Sequence, residues 1–382
     1  MTTSLSKPPT QTPQKTSGTP QPPARLQGAA RRQDRRKYWR PVTLVVLVVL
    51  LAGVGLVSIA TGQYQLPMPE VFGALQRRVT GLFGGPIHQD SAQQMADSTI
   101  MNVRFPRVLL GIIVGAGLGI AGAAMQGIFA NPLAEPGIIG VSSGAALGAS
   151  LAIVFAWDQG FAFAVPLSAF VGGVFATWLV YMLSRSSGKS VVLTLVLTGI
   201  AINAVAGAGI AFLTFMAETT SREQIVFWQL GSLNGATWQA VGTAGAVVLF
   251  GILVLTGLSR KLDVLALGDK SARQAGIHVE RVRVGAILTI ALVTAAAVSY
   301  AGIISFVGLV VPHALRLLIG PGHKYLLPLS ALGGAVLLMS ADIFARTLIP
   351  FADMPIGIFT ALVGGPVFFI LLRQTLKKQG VL

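Results

Sequence analysis

Residues 104–148 read RFPRVLLGIIVGAGLGIAGAAMQGIFANPLAEPGIIGVSSGAALG. The stretch is apolar and broken at one place. Gly111, Gly115 and Gly119 recur at four-residue intervals, and so do Gly140, Gly144 and Gly148. Positions i and i+4 share one face of a helix, so each arm presents a groove without side chains. In lipid, such stripes let helix backbones approach closely and gain packing energy. Between the arms lie Gln126, Asn131-Pro132 and Glu135-Pro136-Gly137. Each proline disfavours helix in the residue before it, and glycine permits a tight reversal. The pattern predicts two tightly packed membrane helices joined by a polar elbow. A generic glycine-rich helix pair fits the spacing equally well.

Composition points the same way. The chain has 382 residues, 53% hydrophobic and 11% charged, whereas soluble domains carry about 25% charged residues. Apolar runs recur throughout, and a membrane span needs only ~20 such residues. The fold class is an all-α polytopic membrane protein. The lack of cysteine excludes disulfides and thiolate metal sites. The net charge of +15 is no nucleic-acid signal, because of where it sits. Residues 1–40 are rich in Pro, Thr, Gln and Ser and end in Arg31, Arg32, Arg35, Arg36, Lys37 and Arg40. They hold too little apolar content to fold alone. They read as a disordered basic cytoplasmic tail that keeps the N-terminus inside, close to anionic lipid headgroups. A cleaved signal peptide is disfavoured by the length and the missing cleavage pattern.

Ten spans follow, at about 41–60, 106–128, 137–156, 162–184, 191–216, 239–258, 283–300, 302–319, 327–347 and 356–373. They form one transmembrane domain, 41–382. With the N-terminus inside, the inner loops and C-terminal tail hold about twice as many Lys and Arg as the outer segments, which places both termini in the cytoplasm. The outer segment 61–104 is expected to hold a short surface helix near Pro69–Arg78. The segment 217–238 carries Trp228 and Trp238, suited to the water–lipid boundary or, less simply, to stacking on a ligand.

No catalytic or metal site emerges. Gly188-Lys189-Ser190 ends like a phosphate-binding loop, but Leu183 stands where its first glycine belongs, and no strand precedes it. His88, His278, His313 and His323 are scattered, without metal-ligand spacing. Asp342 is the clearest acid within a span and can pair with Arg346 at i+4. Ion-coupled carriers need intramembrane ionisable groups. Their scarcity fits a transporter whose energy arrives from outside the membrane.

The cytoplasmic loop 259–283, SRKLDVLALGDKSARQAGIHVERVR, is too polar to span. Asp263 can cap a helix running to about Leu267, and Asp269 a second one that stops at Gly276. Two short helices at a membrane face make a rigid knob; an amphipathic interfacial loop is the plainer alternative.

RFPR, GAAMQGIFANPLAEPGIIG and SSGAALGA resemble the signature region of the membrane subunits of type II ABC importers, the FecCD-type permeases for haem, ferric siderophores and cobalamin. LALGDKSARQAGI, SYAGIISFVGLVVPHALRLL and MPIGIFTALVGGPVFFILL extend the likeness over roughly residues 60–373. The resemblance implies a homodimer in the cytoplasmic (inner) membrane of a bacterium. It implies two separate ATPase subunits that hold ATP and Mg, no cofactor on this chain, and an extracytoplasmic substrate-binding protein. It points to Gly268, Asp269, Ala272 and Gly276 as the core of the ATPase contact. It makes Arg104 and Arg346 docking contacts for the binding protein, with Arg107 and Arg222 as weaker ones. Asn203 and Gly207, in GIAINAVAGAGIAFLTF, are expected along the translocation path, although Asn203 could instead bond a neighbouring helix. Gly111, Gly115, Gly119, Asn131, Pro132, Gly140 and Gly144 are assigned to helix packing. The fifth span and the following SREQIVFWQLGSL look most like haem-importing members. Ferric siderophore and cobalamin remain alternatives, as does, from another class, an autonomous secondary carrier.

Overall fold

The computed structural model describes residues 24–62, 67–82, 90–186, 189–190, 192–349 and 352–378. The tail before Ala24, His88 and Gly188 lie outside the described residues. The helices are α1 (Ala24–Ala60), α2 (Met68–Leu82), α3 (Ser91–Ser98), α4 (Phe105–Ile128), α5 (Val141–Val154), α6 (Ala164–Leu183), α7 (Val192–Met216), α8 (Thr219–Leu230), α9 (Trp238–Gly257), α10 (Ser259–Leu265), α11 (Asp269–Gln274), α12 (Val279–Ala301), α13 (Val307–Ile319), α14 (His323–Thr347) and α15 (Ile356–Lys378). Among the described residues the only strands are a two-residue antiparallel pair, Arg185–Ser186 with Lys189–Ser190.

Among the described residues eight helices are long and apolar enough to cross a membrane, and the shorter apolar α5 and α13 bring the apolar helices to ten. The count and the all-helical class agree with the sequence. Three boundaries do not. Helix α1 begins at Ala24, ahead of the span start expected near residue 41. Once the apolar part is helical, Ala, Arg, Gln, Leu and Lys add to it without a new nucleation cost. The spans expected at 137–156 and 302–319 are helical only over α5 and α13. At 1.5 Å per residue each covers about 20 Å, short of a hydrocarbon core. The segment 131–140, with its 3-10 turn Pro136–Ile139, and the segment 302–306 lead into them; non-helical backbone at membrane depth is tolerated where protein buries it. The two irregular segments meet: the Glu135 carboxylate accepts from the Phe306 N–H at 3.3 Å.

Helices α4, α12 and α14 are mostly buried and form the centre, while α1, α6, α7, α9 and α15 leave most of their surface outward. The glycine grooves explain the packing, but not with the partners the hairpin suggested. Helices α4 and α5 share almost no contact, so the expected pairing of the two arms is corrected. The α4 groove takes α14 instead. A Cβ built on Gly115 would fall 2.5 Å from the Gly334 carbonyl oxygen, one on Gly119 would overlap the Ser330 carbonyl, and one on Gly111 would meet Met339 and Leu233. The α5 groove takes α6: Gly144 abuts Gly172, and Gly148 abuts Ser168. A small-residue stripe says only that some backbone comes close, and the elbow turns the two arms toward different neighbours.

Candidate functional site

The knob expected on the cytoplasmic side consists of α10 and α11. Leu262, Leu265 and Ala272 are buried and join the main apolar core beside Leu326 and Leu327, so the knob is fastened rather than floating. The turn between its helices is at Gly268, with φ +104 and ψ +156, a region essentially restricted to glycine. Gly276, at φ +76, ends α11, as expected of a left-handed helix stop. Leu267 stands 74% exposed at the tip. Asp269 occupies the first turn of α11 but does not cap it. Its carboxylate pairs with Arg283 of α12 at 2.6 Å and with Arg273 at 3.4 Å. The cap expected from Asp263 is likewise corrected: Asp263 sits inside α10 and reaches α14. Its Oδ1 is 2.7 Å from both the backbone nitrogen and the Nδ1 of His323. Burial alone would raise the Asp263 pKa, but the His323 hydrogen bonds and the nearby Arg316 charge outweigh it and hold the carboxyl below its ordinary range. Beside α11, Asp269, Arg273, His278 and Arg281 line an open cleft.

The outer arginines lie inside the protein. Arg104, Arg107 and Arg346 are all buried. Arg104 donates to the carbonyls of Ile59 and Ala60, and Arg346 to those of Ser58 and Thr61 and to Ser58 Oγ. These are the last carbonyls of α1, which no later helical turn satisfies and which carry the negative end of the helix dipole. Arg222 treats α7 in the same way, donating to Thr214 and Ala217. Arg107 lies 3.0 Å from Asp342 and 3.0 Å from Asp353. Arg346 Nε lies 3.0 Å from Asp342 Oδ2, across the i+4 spacing. In this conformation the guanidinium groups of Arg104, Arg107 and Arg346 meet helix ends and internal acids. Sequence offered one sign of the cluster, the Asp342–Arg346 spacing; the partners Arg107 and Asp353 are remote in the chain.

The remaining expected residues fall into place around α5. Asn131 Oδ1 accepts from the Leu133 N–H at 2.9 Å, a side-chain turn that starts the elbow ahead of Pro132. Gly140, at φ +83, closes the short 3-10 turn Pro136–Ile139. Asn203 accepts from the Ser143 hydroxyl, and its amide donates to the Gly137 carbonyl at 3.3 Å. These hydrogen bonds join α7 to the elbow. Gly207 is exposed, with open space where a side chain would be. Trp238 donates its indole N–H to the Met101 carbonyl. Gln126 was not assigned a role by sequence; its amide donates to the Leu309 carbonyl at 3.3 Å and its oxygen accepts from Arg316 at 3.1 Å.

Among the described residues, eight helices long and apolar enough to span a membrane, two shorter apolar ones and a knob seated in their core fit a membrane permease. Residues 48–374 match the FecCD transport family, and the chain belongs to it. It is 41% identical over 284 residues to the hemin transport system permease protein HmuU of Yersinia pestis, covering 73% of this chain and 85% of that one. It is 39% identical over 336 residues to the cobalamin import system permease protein BtuC of Halobacterium salinarum, covering 88% and 89%. A solved inward-facing structure of a metal-chelate type ABC transporter matches with a TM-score of 0.75 at 33% identity, covering 87% of this chain and 99% of that one. The protein is thus a membrane-spanning permease subunit of a type II ABC importer and not itself an enzyme.

Proposed function

We propose that this permease imports haem. Two copies form the pore in the cytoplasmic membrane of a bacterium. A binding protein delivers substrate outside, and two ATPase subunits, holding ATP and Mg, seat on the α10–α11 knobs. The observation that carries the substrate choice is the surface of α7. It has no charged residue, and Leu197, Ile200, Val205, Gly207 and Phe212 are exposed along it. Asn203, its one amide, is turned to Ser143 and Gly137. Haem is a flat amphiphile, and an apolar wall passes it without gripping it. A site that held substrate tightly in one state would oppose release to the other. Identity to a hemin permease supports the same choice.

The test is uptake into liposomes holding this protein and its ATPase, with ATP inside and haem-loaded binding protein outside. Haem is expected to accumulate only when both are supplied. Entry of a ferric siderophore or cobalamin in its place overturns the substrate, and entry without ATP favours a secondary carrier.

Asp269→Arg places a third guanidinium between Arg273 and Arg283, both of which now face a carboxylate. The knob is expected to lose its seat on α12. ATP-driven uptake should be abolished while the dimer remains assembled by size-exclusion chromatography. Unchanged uptake in this variant would refute the role given to Asp269.

A further inference from the structure

Besides its apolar seat in the core, the knob makes ion pairs to two membrane helices. The Asp269–Arg283 ion pair joins α11 to α12. Asp263 joins α10 to α14. Helix α14 starts behind Gly322, which has no side chain to cap it. The Asp263 carboxylate supplies the missing acceptor from another helix, taking both the backbone N–H and the ring of His323. A carboxylate there is favoured by the orphan N–H groups and by the helix dipole. The ring itself is locked. His323 is 1% exposed, its Nε2 is buried without a hydrogen-bond partner, and a Cβ on Gly127 would collide with it. Nδ1 faces the Asp263 carboxylate, so a proton on Nδ1 is donated to it. Arg316, charged and close to Asp263, balances the carboxylate and hydrogen-bonds Gln126 of α4.

We propose that Asp263 and His323 are positioning residues, a clasp that hands displacement of the knob to α14 and through it to α4. The inference rests on the ATPase seating proposed above. What lies beyond the clasp is stiff. Helices α14 and α4 meet backbone to backbone at Gly115, Gly119, Ser330 and Gly334, so no layer of side chains can absorb a shift, and close-packed elements transmit strain. The two ties then have different tasks. Asp269 holds the knob on α12, and Asp263 moves the α14–α4 pair.

The chain lacks cysteine, which permits spin labels at chosen sites. Arg260 of α10 and Lys324 of α14 are both exposed. With labels at Arg260→Cys and Lys324→Cys in the complete transporter, the distance within one protomer should stay constant when ATP is added, because the clasp moves as a unit. In Asp263→Ala the distance should change or broaden with ATP. ATP hydrolysed per molecule transported should rise about tenfold, within the usual range of coupling between sites, while the ATPase stays bound. Asp263→Asn keeps an acceptor oxygen for the two N–H groups and should behave close to wild type. Gly127→Ala, which crowds His323 without removing either polar group, should uncouple like Asp263→Ala. The clasp is overturned if Asp263→Ala keeps both the constant distance and the wild-type ratio, or if hydrolysis and uptake fall in equal proportion as the ATPase dissociates. A wild-type complex that neither retains an ATPase nor responds to ATP refutes the importer arrangement instead.

Discussion

Gly119→Leu is expected to yield no native protein. A Cβ at position 119 would overlap the Ser330 carbonyl oxygen, and a leucine adds three further carbons in the same direction. The obstacle is backbone on both sides. Gly334 sits opposite in turn, with its own Cβ position filled by the Gly115 carbonyl. Overpacking a core where side chains can yield costs about 1–3 kcal/mol. Here nothing can rotate away, so the cost should exceed that range. In lipid no hydrophobic force restores the pair, because association depends on close packing itself. The measurement is monodisperse yield and thermal melting in detergent. Gly53→Leu is the control: it lies on the exposed side of α1 with open space around it and should melt as wild type does. Equal melting of the two variants would remove the α4–α14 contact from the account of stability.

Much of the fold was legible because its signals are local sums. The number of apolar helices follows from the length of apolar runs. The surface helix expected near Pro69–Arg78 appears as Met68–Leu82 because its pattern lies within one short window. The glycine stripes announced close backbone approach, yet not its partners, since Gly334 and Ser330 belong to a helix far along the chain. The internal partners of the arginines were hidden for a related reason. Position at the outer end of a span suggests exposure, but α1 ends beside them and leaves carbonyls to satisfy. Asp263 was read as a cap for its own helix, because sequence cannot indicate that Gly322 leaves another helix start uncapped nearby. In each case the element type was local and the interaction was not.

The second large effect is expected at Asp342, whose side chain is fully buried between Arg107 and Arg346. Together with Asp353 the group has two positive and two negative charges, so it is neutral as a whole. Asp342→Ala leaves two buried guanidinium groups facing each other with only the more exposed Asp353 between charges. Breaking a buried ion pair by removing one partner costs about 3–5 kcal/mol. Asp342→Ala should fall in that range, read as lower melting temperature and loss of the outer packing of α1 on α14. Asp353→Ala should cost far less, about 0–1 kcal/mol, because its side chain is partly exposed and water can replace it. The decisive variant removes all three inner charges: Asp342→Leu with Arg107→Met and Arg346→Met. Buried ion pairs replaced by apolar groups of similar volume are often neutral in stability, so most of the loss in Asp342→Ala should be recovered. The recovery should be incomplete by the amount that Arg346 contributes in capping α1 through Ser58 and Thr61. A triple variant no more stable than Asp342→Ala would mean that helix capping, rather than charge balance, is what these arginines supply.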